Sequence, residues 1–252
     1  MRGAVVGAAV LMGTSAFGAA EPSVFEEPSK ITTVALPPHS YNPTFKHTRN
    51  CYYYPGVMVK EVNFEDEKGV HQLSLVPIPL NEKPPVCKAD NMREVVIPKW
   101  SGYYRGKRGA AFFFDAADGF NGMPFAVYTA FGSEMLKDSF DLKEREPFRS
   151  VRMDKTALVV RYRRAWLSPC SMYADPAGCW KIIAAQTGLP KSAQPDCRKA
   201  YDAELKRGTD SKYDAQIANA RSVIGYEVEA RATLGRTTFT ALPGRVTCWM
   251  ET

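Results

Sequence analysis

The stretch Ile224-Gly225-Tyr226-Glu227-Val228-Glu229-Ala230-Arg231-Ala232-Thr233-Leu234 decides the fold. Its even-numbered positions are all apolar or aromatic, while the odd ones hold Gly, Glu, Glu, Arg and Thr. Successive side chains of a strand point to opposite faces, so a period of two predicts one face in a core and the other in water. A helix, turning about 100° per residue, would mix the two sets on every face. Gly235-Arg236 follows and predicts a two-residue hairpin loop with Gly first, leading into a strand over 237–242. Pro243-Gly244 then turns the chain into a last strand over 245–250.

Working outward, the same period governs 156–166. There Leu158, Val160, Tyr162 and Trp166 share one parity, and Arg161 and Arg163 take the other. That predicts a half-buried strand with a basic outer face, balanced by Glu227 and Glu229 on a neighbouring strand. Short apolar runs at 110–114, 125–131 and 134–140 are separated by Asp/Asn/Gly-rich turns and read as a meander. Residues 57–64 and 70–78 flank Glu65-Asp66-Glu67-Lys68-Gly69 as a hairpin. The apolar phase slips from Val57 and Val59 to Val62 and Phe64, which predicts a bulge near Lys60-Glu61. A Pro-rich loop over 77–85 leads to Cys87 and a short strand over 94–97.

Helical signals are confined to 175–221. Asp175-Pro176 supplies an N-cap and a first-turn proline for a helix ending at Gly188, with further helices over 194–207 and 212–221. Residues 21–50 carry five prolines and no sustained period, and read as an extended lead-in. The expected architecture is a single mainly β domain over 51–252, an antiparallel sandwich or barrel-like meander with a small helical insertion at about 175–221, stabilised by disulfides. The pattern leaves sandwich, barrel and propeller-like arrangements open.

The amino terminus sets the compartment. Arg2, an apolar run from Ala4 to Phe17, and Gly18-Ala19-Ala20 before Glu21-Pro22 have the layout of a secretory signal over 1–20. No later apolar run is long enough to span a bilayer, so no transmembrane span is expected once the signal is gone. All six cysteines, Cys51, Cys87, Cys170, Cys179, Cys197 and Cys248, lie beyond it. An even count in an exported chain reads as disulfides. Cys51 and Cys87 bracket a hairpin and are expected to pair, leaving the other four to pair among themselves.

Candidate sites are few. With three histidines and none of the hydrolase, zinc-protease, phosphate-loop or dinucleotide motifs, the chain gives no support to catalysis and none to a cofactor. His71 shares the parity of Leu73 and Leu75 and is expected to pack in the core. Asp115, Asp118 and Asn121 are a weak calcium candidate, because tight turns use the same residue types and the ligand alternation is absent; no metal is expected. Basic and aromatic residues interleave at 103–108 and 161–166, so Arg105, Lys107, Arg108, Arg161 and Arg163 form an anion-binding candidate. Export argues against nucleic acid. The expected function is therefore an exported cell-envelope protein, periplasmic or secreted, with a non-catalytic binding or structural role. Its partner would be an anionic envelope polymer or another envelope protein. The alternative is an extracytoplasmic hydrolase acting on polysaccharide or peptide.

Overall fold

A computed structural model describes residues 23–38, 43–97, 100–207 and 211–251. The signal expected over 1–20 lies outside them.

Strands β1 (Lys30–Leu36), β2 (His47–Tyr54), β3 (Val57–Phe64), β4 (Gln72–Pro77) and β5 (Val95–Val96) pair in chain order as an antiparallel five-stranded sheet. The chain then enters a nine-stranded sheet through β6 (Gly102–Arg108), β7 (Ala111–Ala116), β8 (Met123–Thr129), β9 (Glu134–Phe140), β10 (Phe148–Asp154) and β11 (Ala157–Leu167). Helices α1 (Pro176–Thr187), α2 (Arg198–Arg207) and α3 (Asp214–Asn219) follow, and β12 (Ser222–Thr233), β13 (Arg236–Ala241) and β14 (Thr247–Met250) complete the sheet. Its order is β13-β12-β11-β9-β8-β7-β6, with β10 paired to β11 and β14 to β12. The fold is mainly β and antiparallel with a helical insertion, as its sequence periods predict.

The nine-stranded sheet curls. β10 comes round to lie against β6, and Phe25 packs there with its ring 5.1 Å from Phe113 and 5.7 Å from Phe148. Glu26 N–H donates to the Lys107 carbonyl of β6 at 2.8 Å. The inner face is aromatic: Phe113, Phe125, Phe148 and Tyr162 pack with Leu158, Val160 and Val228. Alternation sends Phe112, Phe114, Ala126 and Tyr128 to the outer face, where they bury Val57, Val59, Leu73 and Leu75 of the five-stranded sheet. Each fully buried chain of this size contributes about 1.5–3 kcal/mol.

The decisive stretch forms the long strand β12, paired to β11 with Arg161 opposite Glu229 and Arg163 opposite Glu227. Its end differs from expectation. Thr233 pairs with Arg236, so the loop is Leu234-Gly235, with Gly in second place at φ 78°, and Leu234 is 63% exposed. Only this second place takes a positive φ, and Gly adopts it without strain.

Burial on both faces of a strand accounts for the first of the other departures. No register shift interrupts β3 against β2 or β4, so there is no bulge at Lys60-Glu61. β3 is central, one face on the other sheet and one under the 79–94 loop, and its charged residues are simply buried. The lead-in is also structured, since β1 and the first half of β2 fall within it. β6 and β10 are strands without counterparts among the expected elements. His71 lies outside β4, exposed, with its ring beside the Glu67 carboxylate at 3.0 Å. The half-turn before β4 frees it from the strand's parity.

Three disulfides form: Cys51–Cys87, Cys170–Cys179 and Cys197–Cys248. The first is the expected pair. The second ties β11's exit to α1, which Asp175 caps through Gly178 N–H, and the third ties the insertion to β14.

Candidate functional site

An open cleft of about 560 Å³ lies where the β7–β8 loop meets the ends of β9 and β11. Its lining comes from loop residues 118–122, from Asp138 and Ser139 on β9, and from Ala165, Trp166 and Leu167 on β11. Phe120 stands 70% exposed at the loop. Aromatic surface in water is costly unless something covers it part of the time, and it is enriched where proteins bind ligands.

Asp138 is the polar centre of this cleft. Arg164 places Nε 3.1 Å from one carboxylate oxygen and 2.8 Å from the other. The Tyr162 hydroxyl, fully buried, donates to the same group. Arg164 also donates to the Tyr226 hydroxyl at 3.1 Å and stacks on Phe239 with its guanidinium 3.9 Å from the ring centre. Burial pushes the Asp138 carboxyl above its usual range, outweighing the opposite pull of Arg164 and Tyr162. Burial likewise drives the Tyr162 phenol well above its ordinary value, with the Asp138 charge adding to it. The result is a rigid carboxylate whose hydrogen-bond geometry is fixed before any ligand arrives.

The basic residues expected to form one patch are scattered and mostly answered internally. Arg105 bonds Asp115 at 3.0 Å. Lys107 is buried, bonded to Glu26, with its ammonium 5.3 Å over the Tyr54 ring. Arg108 ends β6 opposite Ala111. Arg161 is exposed and bonds Glu229 at 2.7 Å. Arg163, two residues on and of the same parity, is buried rather than on an open basic face. It bonds Asp141 at 3.1 Å, the Arg245 carbonyl at 2.8 Å and Thr247 Oγ1 at 2.6 Å. The reason is that the chain leaving β9 and the approach to β14 both cross this end of β11 and β12. Gly225 permits that crossing, because a Cβ there would stand 2.4 Å from Thr247 Oγ1.

The calcium candidates do not converge. Asp115 is held by Arg105 and Asp118 by Lys68, and among the described residues no cluster of three His, Cys, Asp or Glu side chains could hold a metal ion. His47 is buried, stacked on Phe64 at 4.2 Å and 3.4 Å from Asp66, and plays no part in the cleft. Asp138 went unnoticed in sequence, although a signal existed. Asp138 has the parity of Leu136 and Phe140, and Arg164 that of Tyr162 and Trp166, so opposite charges sit in the apolar phase of two strands.

Comparison with known proteins finds no match to any family model, any curated protein or any solved structure.

Proposed function

We propose that this chain is an exported cell-envelope protein with a non-catalytic binding role, and that its cleft takes a saccharide segment of an envelope polymer. The observation that carries this is the combination of Phe120 and Trp166 with the fixed Asp138 carboxylate and the Ser139 and Asn121 side chains in one open cleft. A sugar ring offers apolar C–H faces to aromatic rings and hydroxyls to a carboxylate or amide, and such a site needs both. Export is supported by the three disulfides, which persist in oxidising compartments. No helix among the described residues is long and apolar enough to cross a membrane. The internal partners of Arg105, Lys107, Arg161 and Arg163 favour the cleft over an anion patch as the ligand contact.

The test is calorimetric titration with soluble peptidoglycan glycan fragments and with neutral glucan oligosaccharides. Phe120→Ala, at an exposed position, is expected to keep the melting temperature and weaken binding about tenfold. Equal binding by this variant and wild type, or no saccharide bound at all, overturns the proposal.

A hydrolase using the same cleft is the second reading, favoured by one observation, the raised Asp138 carboxyl in a cleft that Asp118 also lines. Glycoside hydrolysis uses two carboxylates, one protonated near neutrality. Release of reducing ends that disappears in Asp138→Asn would establish it in place of the binding role.

A further inference from the structure

An exposed sheet edge is a row of unpaired N–H and C=O groups, and proteins ordinarily blunt it with short strands, charge, proline or a bulge. Four of this protein's edges are blunted. β5 has two residues and β14 four. Lys107 on β6 is taken by the Glu26 N–H, and β13 lies against β9 and α1. β1 carries one of these devices, Lys30, at its first residue. Its seven residues pair with β2 without a register shift, and Ile31 to Leu36 contain no charge and no proline. Ile31 is 57% exposed, and no described strand covers its outer side.

Beside this edge lies a groove of about 570 Å³ between the two strands β1 and β2 and the Pro-rich loop. Thr32 and Val34 of β1, Tyr53 of β2 and Val86 of the loop give it an apolar wall, and Lys30 and Lys83 flank it. No acidic residue lines it, and neither lysine has a carboxylate partner among the described residues. Lys30 instead rests 5.7 Å over the Tyr53 ring. Thr32 Oγ1 is buried there without a hydrogen-bond partner. Val86 is 73% exposed.

We propose that β1 and this groove form a strand-addition site for an extended segment of a partner protein carrying alternate apolar side chains and at least one carboxylate. The edge supplies main-chain hydrogen bonds, which give affinity regardless of sequence, and the groove supplies selection. Apolar side chains on one parity of the added strand enter against Val34, Tyr53 and Val86, while its carboxylate meets Lys30 or Lys83. The site is separate from the saccharide cleft, which is built from the other sheet, so either proposal can fail alone.

The experiment is fluorescence anisotropy on the full chain with disulfides intact. The probes are a fluorescein-labelled Glu-Val-Thr-Val-Thr-Val-Glu peptide, its counterpart with Lys at both ends, and the acidic peptide methylated on alternate backbone nitrogens of one edge. The acidic peptide is expected to bind about tenfold more tightly than the lysine peptide, and one of the two methylation phases to abolish binding. The exposed double variant Lys30→Glu with Lys83→Glu should reverse the charge preference without lowering the melting temperature. No binding of the acidic peptide, equal binding of both charge forms, indifference to methylation, or an unchanged preference in the double variant overturns the proposal. So does light scattering that shows a dimer which the acidic peptide does not dissociate, since a second copy would then hold the edge.

Discussion

Both sheets bury cations, and two of these, Lys60 and Arg163, are answered differently. In the five-stranded sheet Lys60, 1% exposed, is a point charge met by a single loop: the Glu94 carboxylate and the Ala89 carbonyl each at 2.5 Å, and the Lys88 carbonyl at 3.4 Å. In the nine-stranded sheet Arg163 spreads a planar fork over Asp141, Gly225, Arg245 and Thr247, contributed by three stretches of chain. A burial cost of several kcal/mol must be offset in both cases. The ammonium is satisfied locally, so its security depends on a loop staying in place, and that loop is held by Cys51–Cys87. The guanidinium instead joins three segments far apart in the chain through its fixed fork of donors.

The largest expected effect is at the fork. Arg163→Leu leaves Asp141, 4% exposed at its side chain, buried without its cation. It should cost about 5 kcal/mol in urea unfolding, the upper end for breaking a buried pair. A loss below about 1 kcal/mol would mean that water already reaches Asp141.

Next comes the staple. Cys51→Ser with Cys87→Ser removes a bridge spanning 36 residues, and the chain-entropy relation gives about 3.8 kcal/mol. Lys60→Met alone should cost about 3 kcal/mol by stranding Glu94. If the loop is what answers Lys60, the effects will not add: in the bridge-free background the Lys60→Met loss should fall by at least about 1 kcal/mol. Strict additivity would uncouple staple and cation.

Glu61, beside Lys60 but facing the other sheet, gives a pH-dependent contrast. It accepts from Tyr104 N–H at 2.6 Å and from the Tyr52 hydroxyl at 2.8 Å. Burial lifts its carboxyl above the ordinary 4.5 despite both bonds. The folded state then holds this proton more tightly than the unfolded chain, so stability falls as pH rises through the interval above 4.5. Glu61→Gln should flatten that slope, and parallel stability curves for variant and wild type would show that Glu61 does not titrate there. The smallest effect belongs to Arg161→Ser, which breaks an exposed pair with Glu229 and should change stability by less than about 1 kcal/mol.

The same contrast explains what was legible in the sequence. Strands with one wet face announce themselves: β12, β9 and α1's cap are written in local pattern, and Cys51–Cys87 follows from the hairpin it brackets. β3 is dry on both faces, so Lys60 and Glu61 interrupt its pattern and imitate a bulge. β1 and the first half of β2 hide among prolines, and β1 becomes a strand only by pairing with β2 across the intervening Pro-rich connection. β10, where Arg149 follows Phe148 and Arg152 follows Val151, becomes a strand through β11 and through Phe25 from the start of the chain. Arg161 and Arg163 look identical in sequence, and what separates them is chain that returns from residues 141 and 245–247. The cleft was invisible for the same reason, since Asp138, Trp166 and the 118–122 loop meet only after the sheet has formed.

The linkage Cys197–Cys248 has a consequence for how the molecule comes apart. A protease that cuts after Arg207 divides the polypeptide, yet both pieces stay covalently one particle, because the bridge spans the cut. A cut at Lys191 falls between Cys179 and Cys197, where no bridge crosses, and leaves fragments joined by packing alone. The two nicks, 16 residues apart, thus give one band and two bands respectively on a non-reducing gel, and only the second would let the carboxyl-terminal strands leave.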